Sequence, residues 1–249
     1  MKYTLVIIAL ILAACQPGSR QDNAVVKEQS QDDPNYTGIK KFYNGELLIK
    51  ETTYRNGVKE GLCKNYYDDG KLKRTIIYAN DLKEDTAKWY YKEGSVYRAT
   101  PYRNDKIHGI QTKYYKSGRI WAQIPYRHGL RLPGLKEYYD NGLEAGKIPS
   151  IEYNISTTYY EEDGLVTIVL TLDNKSKDVK YYKGGLVDGA FDETRAKDVS
   201  ASTGMGYVEL NRTATGGKGY VDIVAVYTSR FKNKEIIIKR IKLPYNDLI

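Results

Sequence analysis

The sequence predicts an all-β protein in which tandem 24-residue β-hairpin repeats form one elongated antiparallel sheet, followed by a β-sandwich. Three observations lead to this prediction: a strict 24-residue period, a later series of short β-rich runs, and an unusual aromatic composition. The 249 residues include 25 tyrosines but only 3 phenylalanines and 2 tryptophans. Tyrosine combines an apolar ring with a polar hydroxyl and therefore suits strands that have one solvated face.

The period is visible in four sets of residues between positions 36 and 147. They are the two members of a tyrosine pair, a glycine that follows the pair, and a later tyrosine: Tyr66, Tyr90, Tyr114 and Tyr138; Tyr67, Tyr91, Tyr115 and Tyr139; Gly70, Gly94, Gly118 and Gly142; Tyr54, Tyr78, Tyr102 and Tyr126. A fixed period over several copies is typical of a repeat array, in which neighbouring copies bury each other's apolar face.

Each copy has the pattern of two strands joined by a three-residue turn that ends on glycine, as in Lys92-Glu93-Gly94. Glycine is favoured there because the last position of such a turn is left-handed and a Cβ would clash. The second connection, for example YRNGVKEG, is expected to be longer and polar. Stacked hairpins of this kind predict one continuous antiparallel meander over residues 36–147.

The pattern YY-x-x-G-x-[LVI], then Tyr-x-Asn-[Gly or Asp], then Gly and Lys before the next tyrosine pair, resembles the MORN-variant repeat. The resemblance covers about 110 of the 249 residues, with Asp85 in place of a glycine and a first turn, FYNG, that is one residue short. The family includes many bacterial proteins labelled as antitoxin components, so the resemblance implies an antitoxin or immunity-type inhibitor of a toxin as one function. The resemblance implies a structural scaffold and does not imply a catalytic activity.

Residues 148–249 have a different pattern, with six or seven short β-rich runs separated by Gly, Asn, Asp and Lys turns. In LVTIVLTL, the apolar residues Val166, Ile168, Leu170 and Leu172 alternate on one face. These features predict an immunoglobulin-like β-sandwich. A further layer on the repeat sheet is the alternative.

The N-terminus, MKYTLVIIALILAAC, has one lysine and an apolar run from Leu5 to Ala14 that is too short to span a bilayer. LAAC resembles the lipobox of bacterial lipoproteins. The resemblance implies that residues 1–14 are a signal peptide, that Cys15 is lipidated, and that Gln16 directs the protein to the outer membrane, facing the periplasm or the surface. An ordinary signal peptide with a chance cysteine is the alternative. Residues 15–35 are predicted to be a flexible tether after the lipidated cysteine.

The charge is uneven along the chain. Residues 36–147 carry 22 positive and 13 negative side chains, a net charge of +9, whereas residues 148–249 carry 14 of each sign. A basic protein suggests nucleic acid, but an exported lipoprotein is not expected to meet it. We therefore expect an acidic protein surface in the cell envelope as the partner, with anionic glycans or lipid head groups as further candidates.

Residues for catalysis or metal binding are sparse. His108 and His128 have no cysteine or further histidine at ligand spacing, although a Ser-His-Asp arrangement across the fold stays open. The glycine-rich runs TGMGYVEL and TGGKGYV lead into strands and not into the helix that a phosphate loop needs. Cys63 has no disulfide partner and is expected to be a small, half-buried strand residue. We expect no catalytic residue, no metal and no cofactor.

Aromatic and cationic residues on one face of the repeat sheet predict a binding surface instead. Hairpin register is expected to pair Trp89 with Tyr97 and Lys113 with Trp121. The candidate partner-binding residues are Trp89, Tyr91, Tyr97, Lys113, Tyr115, Arg119 and Trp121. The opposite face is expected to be packed, through Tyr66, Tyr90 and Tyr114. The alternative is that the C-terminal domain or the curvature of the sheet covers the aromatic face. The predicted function is a non-enzymatic lipoprotein that binds or scaffolds an envelope protein.

Overall fold

The computed structural model describes residues 33–249 and, for the backbone alone, Val26–Glu28. In this part of the chain, strands pair in antiparallel fashion and the one helix is α1 (Tyr160–Asp163), which confirms the predicted all-β class. The predicted signal peptide, residues 1–14, and Cys15 lie outside the described residues. Part of the predicted tether has regular structure, because Val26–Glu28 forms a strand that pairs with residues 42–44.

Twelve strands form the antiparallel meander of the repeat region, which confirms the predicted sheet of consecutive hairpins. They are β1 (Val26–Glu28), β2 (Gly38–Asn44), β3 (Leu47–Arg55), β4 (Val58–Tyr66), β5 (Leu72–Ala79), β6 (Leu82–Tyr90), β7 (Val96–Arg103), β8 (Lys106–Ile107), β9 (Gly109–Tyr114), β10 (Ile120–Arg127), β11 (Leu130–Arg131) and β12 (Lys136–Glu137). Strands β8 and β9 both pair with β7, and β11 and β12 both pair with β10.

A β-bulge near the three-residue turn of each hairpin changes the predicted register. Tyr90 lies opposite Val96 as expected, but Trp89 lies opposite Arg98 and not opposite Tyr97, which is the extra residue of the bulge. The same bulge recurs in the neighbouring hairpins, where the observed pairs are Asn65–Arg74 and Lys113–Ala122. The predicted pairs Trp89–Tyr97 and Lys113–Trp121 are therefore wrong, because an extra residue in one strand shifts every later pair.

Both connections of each repeat are short turns, although the second was expected to be a longer loop. The three-residue turn is confirmed: the Tyr91 amide donates to the Ser95 carbonyl at 2.8 Å, and Gly94 has a φ of +98°. The second connection is not a long loop but a two-residue turn. In one copy it consists of Asn80 and Asp81, with φ values of 49° and 66°. Both positions of such a type I′ turn are left-handed, which Asn, Asp and Gly tolerate best.

The second tyrosine of each pair holds neighbouring repeats together. The hydroxyl of Tyr91 donates to the backbone carbonyl of Tyr114, one repeat later, at 2.9 Å. Equivalent bonds run from Tyr67 to Tyr90 and from Tyr115 to Tyr138, each at 2.7 Å. These bonds explain why the second position of each pair is a tyrosine, because its hydroxyl is the donor, whereas the backbone carbonyl that accepts the bond places no demand on the first side chain.

The packed face of the repeat sheet is the opposite one from that predicted. A row of small and apolar side chains across β3–β10 is buried: Thr52, Cys63, Ile76, Ala87, Thr100, Gln111 and Ile124. This central row shares its face with Trp89, since Ala87 and Trp89 are two residues apart on one strand. The face of Tyr66, Tyr90 and Tyr114 is the more open one, with Leu62 at 41% and Ile110 at 54% exposure. The prediction took the large tyrosines as the sign of the packed face. The packed row consists mainly of smaller residues, which large flanking side chains cover, including Trp89, Tyr78 and Tyr102.

The C-terminal part consists of two sheets packed face to face. Its strands are β13 (Ile151–Ser156), β14 (Leu165–Leu172), β15 (Val179–Val187), β16 (Ala190–Ser202), β17 (Met205–Asn211), β18 (Tyr220–Thr228) and β19 (Lys234–Lys242). One sheet has the order β13-β14-β17-β16 and the other β16-β15-β18-β19, so the long strand β16 belongs to both. The core between them contains Val166, Ile168, Leu170 and Leu172, the residues whose alternation the sequence displays.

The repeat sheet and the sandwich are joined by backbone and side-chain hydrogen bonds. Strand β11 pairs with β16 through Arg131 and Phe191. The Glu235 carboxylate, 3% exposed, accepts bonds from the amides of Gly134 and Leu135 at 2.9 and 2.8 Å. Burial raises the pKa of Glu235, while these amides and that of Ile236 pull it down.

Candidate functional site

Six residues form a cationic row across the repeat sheet, on the same face as the buried central row and nearer to the three-residue turns. Each lies directly opposite the next on the neighbouring strand: Lys50, Asn65, Arg74, Trp89, Arg98 and Lys113. Neighbouring strands lie about 4.8 Å apart, so the row is roughly 24 Å long. Four of the six residues are cations, and they occupy strands β3 to β9 without an acidic residue between them.

Arg98 is the centre of the row. Its guanidinium lies 4.1 Å from the centre of the Trp89 ring and 5.9 Å from that of Tyr97. Its Nε is buried and has no hydrogen-bond partner among the described residues. On the next strand, Arg74 Nε donates to the Asn65 side chain at 2.8 Å. Stacking on an aromatic ring suits a guanidinium to bind a planar anion such as a carboxylate through its terminal N–H groups.

Lys113 marks the end of the row, where the sandwich begins. Its Nζ donates to the side chain of Asn233, a buried residue of the sandwich, at 2.6 Å and lies 5.2 Å from the centre of the Trp121 ring. The pKa of Lys113 is lowered, first by burial and then by the charges of Arg131 and Arg98. Lys113 therefore connects the row to the sandwich, and the open part of the row lies toward Arg98.

The predicted partner-binding residues fall into two clusters. Tyr91 and Tyr97 meet edge to face at 5.3 Å, beside Arg98 and Trp89. Tyr115 and Trp121 lie 5.9 Å apart, beside Lys113. The two clusters adjoin because Arg98 and Lys113 are directly opposite each other. Arg119 lies beside the second cluster, where its carbonyl accepts a bond from the Tyr115 amide at 2.9 Å and its guanidinium donates to the Asp140 carbonyl at 2.6 Å.

The sequence prediction missed Arg74 and Arg98. The two arginines are 24 residues apart and so occupy the same position of the repeat, which was a usable signal. It was missed because an uninterrupted hairpin places each of them on the other face. Only the bulge turns both toward Trp89.

A second row, formed by Tyr54, Tyr78, Tyr102 and Tyr126, lies beyond the central row, on the side of the two-residue turns. Cations stand over these rings as well, with Lys83 at 5.4 Å from the centre of the Tyr102 ring. Lys83 also lies 3.7 Å from the Asp105 carboxylate, and Lys59 lies 3.9 Å from that of Asp81. This tyrosine row is thus largely neutralised within the fold, whereas Arg74 and Arg98 have no ion pair among the described residues.

Other chemistry is limited in the described part of the chain. No group of three His, Cys, Asp or Glu side chains there could hold a metal ion. His108 and His128 have ring centres 4.9 Å apart, and the pKa of His108 is lowered by burial first and then by nearby Arg103. Cys63 is fully buried, and not half-buried as expected, with its sulfur 3.3 Å from the Thr52 hydroxyl. No helix within residues 33–249 has the length and apolar character needed to cross a membrane.

Comparison with known protein families identifies two copies of the repeat. A family model described as MORN repeat variant matches residues 59–80 and 107–128, which are 48 residues, or two periods, apart. The copy between them carries Asp85 where the matched copies have Gly61 and Gly109. All three residues have positive φ, at 58°, 101° and 110°, so Asp85 keeps the backbone geometry that glycine adopts more readily. No curated protein matches the chain.

Proposed function

We propose that this protein is a non-enzymatic binding or scaffolding protein that holds an acidic protein partner on its cationic row. The observation that carries the proposal is the arrangement of Arg74, Trp89 and Arg98 on three neighbouring strands. Neither arginine forms an ion pair with a described residue, and Arg98 is stacked on the tryptophan. Arg98 also lies directly opposite Lys113, and like charges in that position on adjacent strands destabilise a sheet. An anionic partner would remove that repulsion.

The composition of the surface supports the same function. Arginine, tryptophan and tyrosine are the residue types that most often dominate the free energy of binding at protein interfaces. The net charge of +9 on residues 36–147 would also steer an acidic partner toward this region before contact. The two clusters of aromatic residues beside Arg98 and Lys113 would supply the apolar contacts.

The proposal is tested with two variants that remove the same charge from opposite faces of the same sheet. Arg74→Ser with Arg98→Ser removes the open cations of the row, whereas Lys64→Ser with Lys88→Ser removes two lysines of the other face. Truncating an interfacial hot spot commonly costs about 2 kcal/mol or more, which is roughly thirtyfold in affinity. We expect the arginine variant to lose capture of an envelope partner by about that factor and the lysine variant to keep it.

Stability is measured in parallel, because Trp89 and Arg98 also border the buried central row. Trp89→Ala and Trp121→Ala are compared with wild type in melting temperature and in partner capture. If the arginine variant binds as well as wild type, the row is not the binding site. If the tryptophan variants melt far lower than wild type, these rings serve the fold and the proposal loses them as contacts.

We further propose that the protein is anchored in the cell envelope through Cys15, with residues 1–14 removed as a signal peptide. The support is the sequence LAAC at the end of an apolar run of only ten residues, Leu5 to Ala14. An envelope location would bring the cationic row to proteins and anionic glycans or lipid head groups of that compartment.

The Cys15→Ser variant is expected to lose metabolic labelling by a fatty acid and to leave the membrane pellet, because the thiol is the site of lipidation. The wild-type protein and a Cys63→Ser variant, whose cysteine is buried, serve as controls that should keep the label. A wild-type protein that takes up no label, or a Cys15→Ser protein that still sediments with membranes, would contradict the anchor.

An antitoxin or immunity-type inhibitor is the alternative function. Its support is the MORN-variant match at residues 59–80 and 107–128, together with a basic surface that suits an acidic toxin. Coexpression with the product of a neighbouring toxin gene distinguishes the two functions. Rescue of growth by wild type, and not by the variant Arg74→Ser with Arg98→Ser, would favour inhibition.

We also infer that residues 148–249 are an immunoglobulin-like domain with a boundary near Lys147. The support is the strand order: β13-β14-β17-β16 and β15-β18-β19 correspond to the ABED and CFG sheets of that class. Such a domain would give the cationic row a rigid neighbour at its Lys113 end.

A further inference from the structure

The sandwich contains an apolar cleft between its two sheets that the proposed function does not use. The cleft has a volume of 540 Å³, within the usual range for small-molecule sites. Its apolar lining comes from both sheets and from the C-terminal segment: Leu210, Val221, Leu243 and Leu248. These four residues are buried members of the inter-sheet core, and they form the floor of the cleft.

Three lysines line the cleft as well: Lys183, Lys197 and Lys218. Lys183 lies on the inward side of β15, because it alternates with Tyr181, which is 1% exposed in the inter-sheet core. Lys197 is directly opposite Lys183 on β16 and therefore points the same way. Lys183 is half-buried and Lys197 is exposed, so the pair lies at the rim of the cleft.

These lysines have no ion pair among the described residues. Asp222 also lines the cleft, but its carboxylate accepts two bonds from Arg240, at 2.7 and 2.9 Å, so its charge is already compensated. Asp198 and Glu209 line a groove beside the cleft together with Lys183 and Lys197, but neither carboxylate forms an ion pair with these lysines. The pKa of Lys183 is lowered by burial first and then by Lys197.

Like charges directly opposite each other on neighbouring strands destabilise a sheet, and the partial burial of Lys183 adds a desolvation cost. A β-bulge at Gly184 leaves the backbone open beside them, since a Cβ at Gly184 would meet no atom within 4 Å. The cleft therefore has an apolar floor, and at its rim two lysines without an ion pair among the described residues, beside an open backbone at Gly184.

We propose that this cleft binds an anionic amphiphile with a single acyl chain, its chain among the leucines and its head group at Lys183 and Lys197. A carboxylate or a phosphate head group would satisfy both ammonium groups, and burial of each methylene adds to affinity. A neutral molecule with the same chain would leave the lysine repulsion in place. This site is separate from the cationic row, and its test does not depend on a protein partner.

The test is titration calorimetry on the full-length protein with dodecanoate, dodecyl phosphate and the neutral dodecanol, each below its micelle concentration. We expect one molecule of either anion to bind per chain, at least tenfold more tightly than dodecanol. The stronger of the two anions identifies the source as a fatty acid or a lipid phosphate. Failure of both anions to bind, or equal binding of dodecanol, would overturn the proposal.

Matched variants assign the binding to the lysines. Lys183→Met with Lys197→Met should weaken anion binding at least tenfold and keep or raise the melting temperature, because a repulsion is removed. Lys180→Met with Lys242→Met removes the same charge from exposed positions that do not line the cleft and should bind like wild type. Equal losses in both double variants would mean that net charge, and not this cleft, attracts the anion, and would overturn the assignment.

Discussion

Replacing Glu235 by alanine is expected to lower the free energy of unfolding by about 2–4 kcal/mol, measured by urea denaturation of the whole chain. The carboxylate is buried and accepts bonds from the amides of Gly134 and Leu135, which belong to the repeat region. A buried donor left without an acceptor costs about 1–3 kcal/mol. Alanine would leave two such donors at the junction and a cavity beside them.

The control is Glu152→Ala, which removes an exposed glutamate of the same sandwich that pairs with Lys175 at 2.9 Å. Exposed pairs contribute little, so this variant should stay within about 0.5 kcal/mol of wild type. Amide hydrogen exchange adds a local measurement, since Leu135 should lose protection in Glu235→Ala alone. A Glu235→Ala protein as stable as the control would show that water replaces the carboxylate at no cost.

The ionisation of Glu235 carries its own cost. Burial raises its pKa in the folded chain, so its contribution to stability is greatest below the pKa of the unfolded chain, about 4.3, and falls as the pH rises through the folded value. At neutral pH the charge is therefore a net burden that the two amide bonds offset in part. We infer that Glu235 fixes how the repeat sheet meets the sandwich more than it adds to stability.

The hairpins were predictable because their signals are local. The glycine at the end of each three-residue turn and the 24-residue period can be recognised directly in the sequence, and both are confirmed. The two-residue turns were also signalled, by Asn56-Gly57 and its counterparts, but the prediction treated them as longer loops. The bulge had no such signal, because the extra residues are chemically unlike one another: Lys73, Tyr97 and Trp121.

The consequences of the bulge explain the mixed outcome for the binding surface. Trp89, Tyr91 and Tyr97 were recognised as an aromatic cluster and do lie together, whereas Arg98, their cationic centre, was placed on the other face. The junction could not be predicted at all from local pattern, because Glu235 and Gly134 are 101 residues apart. Long-range contacts of this kind depend on tertiary structure, and no repeat or periodicity encodes them.

A fragment that begins at Ile148 is expected to fold by itself and to give a dispersed β-sheet amide NMR spectrum. All sixteen buried residues of the inter-sheet core lie between positions 151 and 248, so the fragment retains that core in full. It loses the pairing of β11 with β16 and the amides that Glu235 binds. We therefore expect a lower melting temperature than that of the whole chain.

The same fragment separates the junction from the sandwich in a thermodynamic cycle. In the fragment Glu235 has no repeat-region amides to bind and is open to water on that side, so Glu235→Ala should cost less than about 0.5 kcal/mol, against about 2–4 kcal/mol in the whole chain. The pKa of Glu235, followed by carbon-13 NMR, should fall from its raised value toward the ordinary one of about 4.3.

A disordered fragment would mean that the sandwich needs the repeat sheet to fold. An undiminished cost of Glu235→Ala in a folded fragment would mean that the carboxylate acts within the sandwich and that the junction is held by other contacts.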